Sequence, residues 1–282
     1  MSRFVYVDGA FVPFEDARIS IMDRGFLFAD GIYEVSAVLG GRLVDNAAHL
    51  ARLERSLSAI RIALPVALDA IVPLQEKLIA LNALEEGIVY IQITRGVAER
   101  DFAFPKDGQP TMVMFTQAKT LAANPRAETG VPVVTVPDIR WERCDIKSVA
   151  LLAQVLAKQE AAEKGAYEAL MIADGKLTEG GSSSVFVVDR KGRLITRPLS
   201  NAILPGITRA TLLRLAAEHQ ITIEEREVAL EEMHGAAEMF LTSASSFVLP
   251  ISSVDGRPVG DGKPGPVTRK ARAIYLEMAQ AV

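Results

Sequence analysis

Turn chemistry near the N-terminus does most to restrict what this chain can fold into. Asp8-Gly9 lies between two short apolar runs, Phe4 to Val7 and Phe11 to Val12. Gly40-Gly41 lies between Ile32 to Leu39 and Arg42 to Val44. Both dipeptides supply the positive φ that a tight hairpin needs, so each predicts a pair of strands. Helical spacing follows, first in Leu50, Leu53, Leu57 and Ile60, then in Ile71, Leu74, Leu78 and Leu81. Strands return at Val89 to Arg95 and at Thr111 to Thr116. The loop between them runs to about fifteen residues, long enough to suspect function.

Thr120 to Gly130, with Asn124-Pro125 and a closing glycine, reads as a linker. Beyond it the pattern predicts a strand over 131–136 and a helix over 149–164. Strands follow near 168–172 and 185–188, and Asp189-Arg190-Lys191-Gly192 turns into a strand over 193–196. Pro205-Gly206-Ile207-Thr208 opens a helix that runs through Leu215. Two more strands, 238–242 and 247–251, precede an amphipathic helix marked by Val267, Ala271, Ile274 and Met278. Strands and helices mix without regular βαβ alternation, so the chain reads as α+β. The expected domains are 1–119 and 131–282, joined by a linker over 120–130.

A chain of 282 residues, 49% hydrophobic and 23% charged, has enough apolar surface for a sizeable core. Its net charge of −4 advertises no basic surface, so no nucleic-acid partner is expected. The one cysteine, Cys144, excludes an internal disulfide framework and a multi-cysteine zinc site. It fits a reducing cytoplasm and reads as a small buried thiol. The N-terminus breaks into a turn too early for a signal peptide, and no apolar run approaches a membrane span. His49, His219 and His234 lack metalloprotease spacing, and there is no Walker loop, GxSxG or GxGxxG.

Two residues carry a chemical suggestion. Lys147, in Asp145-Ile146-Lys147-Ser148, offers an amine able to form a Schiff base with an aldehyde cofactor. Glu179, in Thr178-Glu179-Gly180-Gly181, offers a carboxylate able to hold a cofactor's ring nitrogen protonated. Together they suggest pyridoxal 5'-phosphate (PLP). Taken alone, Lys147 is one of ten lysines and Glu179 sits in a sequence typical of a solvated turn.

Ordered segments at plausible spacing resemble the class IV, fold-type-IV PLP aminotransferases nearly end to end. They are Asp23-Arg24-Gly25-Phe26-Leu27-Phe28-Ala29-Asp30-Gly31-Ile32-Tyr33-Glu34-Val35, His49-Leu50-Ala51-Arg52-Leu53, Tyr90-Ile91-Gln92-Ile93-Thr94-Arg95-Gly96, and the Lys147 segment. Thr178-Glu179-Gly180, Leu204-Pro205-Gly206-Ile207-Thr208-Arg209 and Leu241-Thr242-Ser243 complete the set. The resemblance implies a small N-terminal α/β domain and a larger C-terminal domain with a β-barrel-like core. It implies Lys147 as Schiff-base lysine and proton shuttle, and Glu179 at the pyridine nitrogen. It implies Arg52 for the phosphate, whereas by itself Arg52 is one polar position on an amphipathic helix. The resemblance also implies phosphate contacts from Gly206, Ile207 and Thr208, where ordinary helix capping is the alternative. Thr242 and Ser243 form a second phosphate-side loop, with Ala244 where the family usually carries a hydroxyl. Leu204 is expected on the ring face.

The substrate end resembles D-amino-acid aminotransferases, in which Tyr33 helps bind the α-carboxylate. Their loop pairs an arginine with a histidine two residues on; here Arg100 is kept and Phe102 replaces the histidine. The resemblance implies ping-pong transfer between a D-amino acid and a 2-oxo acid, of the D-alanine and 2-oxoglutarate type. It further implies a homodimer with its active site at the interface. L-branched-chain aminotransferases, (R)-amine transaminases and aminodeoxychorismate lyases share the same pattern and remain the alternatives.

Overall fold

In a computed structural model, residues 3–281 are described and fall into two compact units. The first comprises the chain up to Thr120 together with Ile146–Ala150; the second comprises Leu121–Asp145 and Leu151–Ala281.

In the first unit, β1 (Phe4–Val7), β2 (Ala10–Pro13), α1 (Arg24–Phe28), β3 (Gly31–Leu39) and β4 (Arg42–Val44) come first. They are followed by α2 (Asn46–Ala59), α3 (Leu68–Leu81), β5 (Glu86–Thr94) and β6 (Thr111–Ala118). Both predicted hairpins form. The strands make one antiparallel sheet in the order β2-β1-β6-β5-β3-β4. Period-2 alternation sends Ile32, Ile91, Ile93, Met112 and Met114 to one face, where they pack with Leu50, Leu53 and Leu57 of α2 and Ile71 and Leu78 of α3. Fully buried side chains of this kind contribute roughly 1.5–3 kcal/mol each. Tyr33, Val35, Tyr90, Gln92 and Phe115 take the opposite face, and the rings of Tyr33, Tyr90 and Phe115 stack in succession.

The second unit contains α4 (Arg126–Thr129), β7 (Val131–Pro137), α5 (Leu152–Glu163), β8 (Glu168–Ala173), β9 (Lys176–Gly180), β10 (Ser184–Val188) and β11 (Leu194–Thr196). It continues with α6 (Ile207–Glu218), β12 (Ile223–Glu225), α7 (Leu230–His234), β13 (Glu238–Ser243), β14 (Phe247–Val254), β15 (Arg257–Pro258) and α8 (Pro266–Ala281). Its mixed sheet runs β12-β11-β10-β13-β14-β7-β8-β9, with β15 on β14. Only Gly181, Ser182 and Ser183 separate β9 from β10, although four strands stand between them in the sheet. The sheet must curl to let its far edge return, which gives the expected barrel-like core.

Three expectations need correction. Residues 121–130, expected as a linker, are built into the second unit, where Arg272 Nη2 of α8 donates to the carbonyls of Leu121 and Ala122, both at 2.8 Å. The helix expected from Val149 begins at Leu152. Residues 146–149 are instead a non-helical segment in which the Ser148 N–H turns back to the Ile146 carbonyl at 2.8 Å, tied to the edge of β3 beyond the end of β4 by the isolated bridge of Ser148 to Ile32. Glu179 lies on strand β9 rather than in a turn, and it is buried.

Candidate active site

Lys147 owes its position to that β3 edge. The Tyr33 N–H donates to the Lys147 carbonyl at 3.0 Å, the Val149 N–H donates to the Gly31 carbonyl at 3.1 Å, and Ile32 bridges Ser148. Gly31 must be bare, since a Cβ there would lie 2.8 Å from the Ile93 carbonyl oxygen. Ile146 joins the core with the residues of α2, and Lys147 turns to the face of Tyr33. The Lys147 Nζ stands 4.2 Å from the Tyr33 ring centroid. Among the described residues no carboxylate pairs with it.

Beneath this strand, Glu34 enters the core and meets α2. Arg52 donates from Nε to Glu34 Oε1 at 2.7 Å and from Nη2 to Oε2 at 2.9 Å, while His49 Nδ1 lies 2.8 Å from Oε2. Burial alone would raise the Glu34 carboxyl. The Arg52 charge and the hydrogen bonds from Arg52 and His49 outweigh it and bring the pKa down to about 2. Arg52 is therefore fixed in orientation by a charged network. One turn on, Ser56 Oγ accepts from the Lys147 N–H at 3.4 Å, so α2 carries Arg52 close to the lysine's backbone.

In the second unit Glu179 is anchored on two sides. The Leu204 N–H reaches both its carboxylate oxygens at 3.2 Å, and Arg140 Nη1 forms an ion pair with Oε1. Arg140 is itself held by Asp138, with Nε on Oδ1 at 2.9 Å and Nη2 on Oδ2 at 2.7 Å, and by the Ala202 carbonyl at 3.0 Å. Burial opposes the Arg140 charge, but the hydrogen bond to Asp138 and the charge of Glu179 prevail and raise its pKa. Leu204 thus serves Glu179 through its backbone. Arg140 was not foreseen; the alternation Asp138-Ile139-Arg140 in an extended segment, with both charges on one side, was the available signal.

A separate cradle forms where α6 begins. Its N-cap, Gly206, offers no side chain, so the first N–H groups, including those of Ile207 and Thr208, carry no side-chain cap. A Cβ at Gly206 would meet Ser184 Oγ at 2.6 Å. Ser184 pairs across the sheet with Thr242, whose buried hydroxyl has no hydrogen-bond partner among the described residues. Ser243 Oγ is engaged by Ser246 Oγ at 2.7 Å and Ser245 Oγ at 3.3 Å.

The loop between β5 and β6 carries Arg100 and Phe102, both exposed. The Arg100 guanidinium lies over the rings of Phe28 at 5.2 Å and Phe102 at 5.7 Å, and those two rings pack with centroids 5.4 Å apart. No carboxylate pairs with Arg100 among the described residues.

A family profile described as amino-transferase class IV matches residues 31–254. The D-alanine aminotransferase of Staphylococcus aureus (strain MSSA476) is 39% identical over 267 residues, 94% of each chain. The D-alanine aminotransferase of Bacillus licheniformis is 36% identical over 283 residues, 99% of each chain. The chain belongs to the class IV aminotransferases. It is a PLP-dependent aminotransferase of fold type IV. Among solved structures, the branched-chain amino acid aminotransferase of Escherichia coli superposes with a TM-score of 0.87 at 22% identity. That match covers 99% of this chain and 95% of the other, and the likeness carries the fold alone.

The residues present fit this cofactor. An orphaned buried hydroxyl at Thr242 beside an uncapped helix N-terminus suits a phosphate, for which N–H groups and the helix dipole are favourable. A buried, arginine-paired carboxylate at Glu179 suits a protonated ring nitrogen. Among the described residues no cluster of His, Cys, Asp and Glu could hold a metal ion, and no helix is long and apolar enough to cross a membrane. Cys144 is not a nucleophile here: burial, only partly offset by Arg140, pushes its thiol up to about 11. Iodoacetamide at pH 8 should therefore leave Cys144 unmodified in the folded protein and alkylate it in urea, as read by intact mass.

Proposed function

We propose that this enzyme moves an amino group between a D-amino acid and a 2-oxo acid, with D-alanine and 2-oxoglutarate as the representative pair. The observation that carries the reading is the Arg100 guanidinium, stacked on two phenyl rings with no acidic partner among the described residues, in a loop of the D-amino-acid aminotransferase pattern. A planar guanidinium binds a carboxylate through two parallel N–H···O bonds, so an unpaired one suits an amino acid's α-carboxylate. The relatives named D-alanine aminotransferase support the same reading.

When bound, PLP supplies an electron sink for the substrate's α-carbon. The chain's residues do the rest. Lys147 takes the α-proton and returns it on the cofactor side as general base and acid. Glu179, compensated by Arg140, keeps the ring nitrogen protonated. The N–H groups of Ile207 and Thr208, the hydroxyls of Thr208, Thr242 and Ser243, and Arg52 would receive the phosphate. Leu204 would pack on the ring, and Tyr33 would assist Arg100 at the carboxylate. We further propose a homodimer in which Arg100 serves the neighbouring site, and a cytoplasmic location, which the single cysteine supports.

Phe102 favours a second activity. A phenyl ring donates no hydrogen bond, so carboxylate capture is weaker than with histidine and (R)-primary amines become side substrates. The test is a panel of D-alanine, (R)-1-phenylethylamine and L-leucine as donors, with pyruvate or 2-oxoglutarate as acceptor. D-Alanine should lead, and Arg100→Ala should lower the preference for D-alanine over the amine by about 10–100-fold, the worth of a charged hydrogen-bond pair. A clear preference for L-leucine would overturn the reading.

A further inference from the structure

Within the loop that carries Arg100, the Asp101 side chain accepts from the Ala103 N–H at 3.1 Å. The loop is clasped from below by a buried arginine on another element. Arg24 sits at the start of α1, where Asp23 caps the helix by accepting from the Gly25 N–H at 2.8 Å and also receives the Thr94 hydroxyl at 2.9 Å. The Arg24 N–H donates to the Gly96 carbonyl at 2.9 Å. The base of the clasp is therefore fixed to the end of β5.

The guanidinium then reaches the loop. Nη1 donates to the Asp101 carbonyl at 2.5 Å and the Ala103 carbonyl at 3.3 Å, and Nη2 to the Phe102 carbonyl at 3.4 Å. Three successive backbone oxygens of an exposed segment thus converge on one buried cation. Nε is held by Asp30 Oδ2 at 2.8 Å, and Asp30 simultaneously takes two hydrogen bonds from Arg95, at 2.7 and 2.9 Å. Arg95 in turn lies 3.5 Å beneath the Phe104 ring, so the same carboxylate secures both ends of residues 101–104. Arg24 also lies 4.8 Å from the Phe28 centroid, the ring on which Phe102 and Arg100 rest.

We propose that Arg24 is a positioning residue that sets the conformation of the 100–104 loop, and with it the strength of substrate-carboxylate binding. Arg24 is spent on backbone carbonyls and Asp30 and does not itself meet substrate. The inference rests on the assignment of Arg100 to the substrate carboxylate made above. A lysine at position 24 cannot reproduce it, because a single ammonium reaches Asp30 or the loop but lacks the planar fork that spans both.

The test compares Arg24→Lys, Arg100→Ala and the double variant with the wild-type holoenzyme. Arg24→Lys should raise KM for D-alanine about tenfold or more while kcat changes by less than about threefold, the pattern of lost binding rather than lost chemistry. Combined with Arg100→Ala it should add little, since both act on one contact. Trypsin should also cut after Arg100 and Lys106 faster in Arg24→Lys than in wild type. Arg24→Met, which keeps the stem packed on Phe28 but removes every donor, should give the same result and stands in if the lysine variant fails to fold. If Arg100→Ala raises KM but neither Arg24 variant does, the positioning role is overturned and the carboxylate assignment stands. If Arg100→Ala leaves KM unchanged, the assignment itself falls, and this inference with it. A loss confined to kcat in the Arg24 variants also overturns it.

Discussion

Replacing Lys147 by alanine should lower transamination by about four orders of magnitude and abolish covalent capture of the cofactor. A positioned general acid and base contributes roughly 10²–10⁴-fold, and Lys147 is assigned a covalent role as well. The geometry supports the choice of this lysine. Its backbone carbonyl is pinned by the Tyr33 N–H, its amine stands 4.2 Å from that ring, and no carboxylate occupies it among the described residues. Lys158 makes the useful contrast. Its amine donates to the Tyr167 carbonyl at 2.8 Å and pairs with buried Glu168 at 3.2 Å, so it is already committed. Borohydride reduction of the holoenzyme followed by peptide mapping should place the cofactor on the peptide containing Lys147. Lys158→Ala should leave that adduct intact, and Lys147→Ala should remove it. An adduct on any other peptide would overturn the assignment and the function built on it.

Much of this is legible in the sequence for a physical reason. Asp8-Gly9 and Gly40-Gly41 encode hairpins locally, and the 3.6 period of Leu50, Leu53 and Leu57 encodes a buried helix face, so neither needs knowledge of distant residues. Residues 146–149 escape a local reading because their non-helical form depends on the distant edge of β3, where Ile32 bridges Ser148. Glu179 reads as part of a turn because Gly180-Gly181 follows it, yet pairing with β8 makes it part of a strand. Ionic networks are the least legible. Arg52 suggests a phosphate ligand, but nothing in its own segment announces Glu34, and Arg140 and Arg24 acquire their meaning only from partners brought in by the fold. Charges inside a protein are intelligible only in pairs, and pairs are tertiary facts.

The Glu34 network makes the second large effect, on stability. Glu34→Gln should destabilise the fold by about 3–5 kcal/mol, because removing the acid leaves the buried Arg52 cation without its principal anion. The pH dependence gives the claim a sign. The ordinary carboxyl value is 4.5, and in the folded protein Glu34 lies at about 2. A carboxyl whose folded value is depressed contributes fully above its unfolded value, and that contribution fades as the pH falls from 4.5 towards 2. A gap of roughly two and a half pH units corresponds to about 3 kcal/mol, which wild type should lose across that window beyond whatever Glu34→Gln loses. Urea melts at pH 7 and pH 3 read the part of it lost above pH 3, about 2 kcal/mol, and parallel acid limbs in the two proteins would show that Glu34 carries no such linkage. The network also bears on the site. Arg52 is aimed by two of its own donors on Glu34, so the glutamine variant, which offers one neutral oxygen in place of two charged ones, should loosen the guanidinium's orientation. If Arg52 receives the phosphate as proposed, Glu34→Gln should weaken PLP retention on dialysis by about tenfold while Cys144 stays unreactive. Destabilisation without cofactor loss would confine Glu34 to the fold and free Arg52 from the phosphate role.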